Sequence, residues 1–102
     1  SVFGKTAAEI YAVKVDASQN PGEDVYLCLY SNTNSDASQI TVGTTEPFFV
    51  LKCAAGSIVE MVMPCGISVA SGHHLHAAVK QSAGIAGTTA PTGTVAITLL
   101  GA

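Results

Sequence analysis

The chain has 102 residues, enough for one domain around one core. Hydrophobic residues make up 48% of it and charged residues only 11%, against roughly 25% charged in an ordinary soluble domain, so part of its outside is expected to lie against other protein. The four basic residues (Lys5, Lys14, Lys52 and Lys80) are scattered, arginine is absent and the net charge is −3, which argues against nucleic-acid binding and against polybasic membrane attachment.

No apolar run approaches the ~20 residues that span a bilayer. The opening Ser-Val-Phe-Gly-Lys-Thr lacks the apolar stretch of a secretory signal, and synthesis in a cytosol is the expectation. Residues 1–8 are read as an extended arm of a single domain covering 1–102.

Short apolar runs then alternate with turn-forming residues. In Glu9 to Asp16, Tyr11, Val13 and Val15 alternate with Ala12, Lys14 and Asp16, which is the period of a strand. A competing signal is present: Thr6 with Glu9 three residues on matches a helix capping box over residues 6–14. The β-branched Val13-Lys14-Val15 decides for the strand. Ser18 to Gly22 is a turn by its residue chemistry. Asp24 to Ser31 is the next strand, with Val25, Leu27 and Leu29 on one face and Tyr26, Cys28 and Tyr30 on the other. Both faces are apolar, so the outer one needs a loop or a neighbouring subunit over it.

Asn32 to Gly43 is polar and loop-like, with an edge strand expected around Gln39 to Val42. Phe48 to Cys53 is a compact strand. Ala54-Ala55-Gly56 links it to another at Ser57 to Met63, and the short link and matched lengths predict a hairpin. Pro64-Cys65-Gly66 is expected to end that strand, followed by a short run at Ile67 to Val69 and a turn at Ser71-Gly72. His73 to Lys80 and Thr94 to Leu100 are the last two strands, separated by a polar loop at Gln81 to Gly93. The expected fold is all-β: one antiparallel, jelly-roll-like β-sandwich of seven to eight strands.

Little in the chain suggests chemistry. The cysteines (Cys28, Cys53 and Cys65) are too few and too widely spaced for a disulfide scaffold or zinc site, and are read as reduced thiols. His73, His74 and His76 form the one cluster able to hold a ligand. On a strand His74 and His76 share a face, which makes them weak metal candidates, alone or around a symmetry axis; no local Asp, Glu or Cys completes a set, so no metal and no cofactor is expected. Met-Pro-Cys65-Gly has the look of a nucleophile at a turn, with His74 as a conceivable base, but such a turn is far commoner as structure. The seven carboxylates are dispersed, and Glu60 among apolar neighbours reads as outward-facing or interfacial. No catalytic residue is assigned and no enzyme is expected.

Several segments together carry a family likeness. Val25-Tyr26-Leu27-Cys28-Leu29-Tyr30 is followed by Val42-Gly43-Thr44-Thr45-Glu46-Pro47 and Phe49-Val50-Leu51. Then come Ala55-Gly56, Pro64-Cys65-Gly66-Ile67, Ser71-Gly72, the strand Leu75 to Val79, and a Gly/Thr-rich loop leading to Val95-Ala96-Ile97. In order and spacing, over about residues 24–100, this resembles the small jelly-roll virion proteins of tailed phages, of the capsid decoration or cement type. The histidine cluster and Cys65 depart from that type. The resemblance implies a structural protein on the outer capsid surface of a virion, bridging neighbouring shell subunits. Its partners would be the major capsid protein or other virion proteins. A tail, collar or head-fibre component and a carbohydrate-binding or adhesin module are the alternatives. The absence of Trp counts against the last. A homo-oligomer is expected, a trimer before a dimer. The candidate interface residues are Tyr26, Tyr30, Phe48, His73, His74 and His76.

Overall fold

A computed structural model describes residues 3–6, 9–33, 40–69 and 73–101. Among these the chain is all-β, with no helix. Its strands are β1 (Phe3–Thr6), β2 (Glu9–Asp16), β3 (Val25–Asn32), β4 (Phe49–Cys53), β5 (Ile58–Ser68), β6 (His74–Lys80) and β7 (Ala96–Gly101). They form two antiparallel sheets, β1-β6-β3-β4 and β5-β2-β7, with the four-residue β1 as the edge beside β6. Part of the arm expected at residues 1–8 is therefore a strand. Only the β3–β4 connection stays within one sheet, which gives the jelly-roll-like pattern of a chain passing back and forth between two sheets.

The core lies between the sheets. Val25, Leu27 and Leu29 of β3 and Leu75, Ala77 and Val79 of β6 face Ile10, Val13 and Val15 of β2. Phe49, Leu51, Val59, Ile97 and Leu99 close the sides. Each such aliphatic side chain contributes about 1.5–3 kcal/mol when taken fully out of water.

The β2 alternation slips once. Ile10 and Val13 are both buried because the pairing shifts between Ile10 and Ala12 against both neighbours: Tyr11 is an extra residue against β7, while on the other side β5 carries four residues, 63–66, opposite it. Opposite this bulge β5 runs on to Ser68 instead of ending at Pro64. Pro64 falls where the ladder with β2 is interrupted, so its missing N–H removes no bond there. Gly66 turns the strand at φ +73, and a side chain there would press on Glu9 and Tyr11.

The hairpin expected at Ala54-Ala55-Gly56 does not form. β4 pairs with β3, β5 pairs with β2, and the short link is a corner between the sheets. The backbone groups of the corner are taken by the β2–β3 loop: Gly56 N–H donates to the Asn20 carbonyl (3.1 Å), Ala55 N–H to the Asp24 carboxylate (2.9 Å) and Ala17 N–H to the Ser57 carbonyl (2.8 Å). The buried Cys53 thiol fills the inside of the bend, 3.3 Å from the Ser57 carbonyl. Of the edge strand expected at Gln39 to Val42, Gln39 lies outside the described residues. Ile40 and Thr41 are not strand, and Val42 opens a turn closed by Thr44 and Thr45 N–H on the Thr41 carbonyl. The expected turn at Ser71-Gly72 also lies outside the described residues.

Candidate interaction surfaces

The sequence left open what covers the outer face of β3, and the answer is the chain itself. Cys28 and Tyr30 are fully buried with Ala78 under Ile40 and Val42. Burial pushes the Tyr30 hydroxyl up to about 12, helped by the neighbouring Cys28, and also raises the Cys28 thiol. Next to them on β6, Lys80 is almost completely enclosed. Its ammonium donates to the carbonyls of Gly84 (2.5 Å), Gly87 (3.0 Å) and Ile85 (3.3 Å), which curl back over it from the β6–β7 loop. A buried ammonium is tolerated where such oxygens replace its water.

This layer corrects part of the expected interface. Tyr30 and His76 are fully buried by their own chain and offer no surface to a partner. Tyr26, His73 and His74 are half-buried, and the His73 ring nitrogen Nδ1 lies 2.7 Å from the Ser31 hydroxyl. Phe48 is exposed. His74 and His76 do share a face, opposite Asn32 and Tyr30, but among the described residues no His, Cys, Asp or Glu joins them in a metal-sized group. Cys65 lies on β5 and His74 on β6, in different sheets, so the structure does not build the nucleophile–base pair.

At one end of the sandwich lies a polar knot that no local pattern in the chain foreshadows. Asn20 is fully buried in the β2–β3 loop; its Oδ1 accepts from Gly93 N–H at 2.6 Å and its Nδ2 donates to the Glu23 carbonyl at 3.2 Å. The Glu23 carboxylate accepts from the Thr92 N–H (2.8 Å) and hydroxyl (2.9 Å), and those bonds hold its pKa below the usual value. The Gln81 side chain donates to the Ala90 carbonyl at 2.9 Å and ties the base of the same loop. These are structural bonds; the groups already satisfy one another.

Apolar side chains remain open on both outer faces. On the β5-β2-β7 sheet the register sets three rows across the strands: Val62-Ala12-Leu100, Glu60-Lys14-Thr98 and Ile58-Asp16-Ala96. Val62 is 69% exposed, Leu100 63% and Ile58 54%. The middle row carries a loose ion pair, Lys14 Nζ to Glu60 Oε1 at 4.0 Å, with both side chains largely in water. A groove of about 200 Å³ runs over these first two rows. On the other sheet the edge strand β4 turns Val50 outward, with Phe48 just before it, both about 40% exposed (41% and 38% for Phe48 and Val50). Neither place holds a catalytic constellation; each is suited to contact with protein.

Comparison with known proteins gives no relative: no protein-family model matches the chain, and no curated protein and no solved structure is significantly similar to it.

Proposed function

We propose that this chain is a structural protein of a phage particle that sits on the outer capsid surface and stabilises it by bridging neighbouring shell subunits. The observation that carries the reading is the pair of uncovered apolar surfaces on opposite sides of the sandwich, Val62 with Leu100 on one and Phe48 with Val50 on the other. A bridging protein needs two separate contacts, and linking two weak contacts raises the cost of separating the parts well beyond either alone. The low charge content and the ordered resemblance of residues 24–100 to cement-type virion proteins support the same reading.

The test is to locate the chain in intact particles by electron cryo-microscopy and compare their heat resistance with and without it. Density on the shell and a loss of heat resistance on removal are expected. A chain found only at the tail, or particles equally resistant without it, would overturn the proposal.

A further inference from the structure

We propose that the outer face of the β5-β2-β7 sheet binds a second copy of this chain, about a two-fold axis running along the strands midway between β2 and β5. The proposal rests on the reading of this face as a contact surface and names its occupant.

The argument starts from charge. The centre of the face presents one cation, Lys14, and one anion, Glu60, side by side on adjacent strands. A strongly acidic or strongly basic partner would match one and be repelled by the other. A closed two-fold contact requires a patch complementary to itself, and this order of charges meets that condition. Turning the face over about an axis between β2 and β5 lays β2 of one copy over β5 of the other. Lys14 then meets Glu60 of the second copy and Glu60 meets its Lys14, so the loose pair within each chain becomes an alternating set of four charges.

The neighbouring rows follow the same operation. Ala12 is set under Val62 of the second copy, a small residue against an exposed branched one, and Val62 over its Ala12. Ile58 is placed over Asp16, whose carboxylate is already engaged by the Ser18 N–H (2.9 Å) and hydroxyl (2.6 Å). The result is aligned sheet-on-sheet packing at about 10 Å. An axis through β2 itself would put Lys14 on Lys14, one across the strands through that row would put Glu60 on Glu60, and one between β2 and β7 would set Lys14 over Thr98 and leave Glu60 unmatched. Of these axes, only the one between β2 and β5 pairs each charge with its opposite.

A three-stranded face is smaller than the ~800 Å² per partner of a standard stable interface, so free association is expected to be weak, in the range of tens to hundreds of micromolar, and to be completed by high local concentration on a lattice. It leaves Phe48 and Val50 free for a different contact.

The test uses the full chain with the exposed Cys65 replaced (Cys65→Ser). Sedimentation equilibrium from 10 µM to 1 mM should show a monomer–dimer equilibrium. Lys14→Glu should weaken it about tenfold or more, and Lys14→Glu with Glu60→Lys should restore it. Because facing Cα atoms of sheets about 10 Å apart are too far for a direct disulfide, Ala12→Cys chains mixed with Val62→Cys chains and treated with a short bifunctional thiol cross-linker should give the mixed dimer in excess over the two like pairs. A monomer throughout this range would overturn the proposal, as would a dimer indifferent to Lys14→Glu and cross-linked no better in the mixture. Phe48→Ser separates the two readings: it should leave the solution dimer unchanged while reducing attachment to particles.

Discussion

Asn20 and Gly93 stand 73 positions apart and are joined by a 2.6 Å hydrogen bond from the Gly93 N–H to the Asn20 side-chain oxygen. The bond clamps the β2–β3 loop to the residues entering β7, and the Asn20 carbonyl holds the β4–β5 corner through Gly56. One buried residue, through its side chain and its backbone carbonyl, therefore fixes three connections at one end of the molecule.

Asn20→Ala is expected to destabilise the fold by about 1–3 kcal/mol, because its partners lose bonds in a site from which water is largely excluded. Gly93→Ala is expected to destabilise it as well, since a Cβ at Gly93 runs into the backbone carbonyl of Gln19. Urea denaturation of both variants checks this; midpoints equal to the parent's would refute the clamp.

Lys80→Met keeps the side-chain stem but removes the donor shared by three carbonyls. A loss of about 1.5–3 kcal/mol is expected from bonds to a charged group, partly offset by relief of the buried charge. Hydrogen exchange should quicken at residues 84–89 before anywhere else. Unchanged exchange there would show that the loop does not depend on the ammonium.

Acid should unfold the protein through three carboxylates. Glu23 is held below its usual 4.5 chiefly by the Thr92 N–H, Asp24 below 3.8 by the Ala55 N–H, and Asp16 below 3.8 by the Ser18 hydroxyl. Each binds its proton more weakly in the folded chain than in the unfolded one. Their stabilisation is therefore complete above the unfolded values and fades as pH falls through the lower folded ones. Melting temperatures should stay level from neutral pH to about 5 and fall below about 4. Glu23→Gln should make that fall shallower; an acid slope identical to the parent's would exclude Glu23 from it.

Thiol titration should separate the cysteines. Cys65 is exposed, whereas Cys28 and Cys53 are buried and both thiols are raised by burial. A thiol-reactive dye should label one site per native chain at pH 8 and three after denaturation. Rapid native labelling of Cys28 would show that the cover of Ile40 and Val42 opens readily.

The fold was readable in the chain wherever local alternation and packing agree. The strand expected over Glu9 to Asp16 forms over those residues, because β-branched alternation outweighs the capping-box signal when a partner strand lies on each side. The hairpin failed for a physical reason: a three-residue link suits a reversal within a sheet and a corner between sheets equally well. The choice was made by hydrogen-bond partners on the distant β2–β3 loop: the Asn20 carbonyl, the Asp24 carboxylate and the Ala17 N–H. Asn20 and Lys80 gave no sign for a similar reason. A Lys at an outward position of a strand reads as solvent-facing, and only the return of Gly84 to Gly87 encloses it. Tyr30 and His76 stand at outward positions of their strands, and what covers them comes from elsewhere in the chain. The exposed Val62 and Leu100 could have been suspected from outward parity on their strands, but alternation alone does not say which outer face stays bare.

The position of β2 between β5 and β7 sets how the chain must fold. This early strand acquires its second neighbour only when the last strand arrives, some eighty residues later along the chain. Until synthesis reaches Gly101 one edge of β2 stays without its ladder, so this sheet cannot be completed before β7 has emerged. A topology this non-local belongs to the slow end of small-domain folding, in milliseconds to seconds rather than microseconds. During that interval Ile10, Val13 and Val15 are open to association with other nascent copies, so yield on overexpression should rise as the rate of synthesis is lowered.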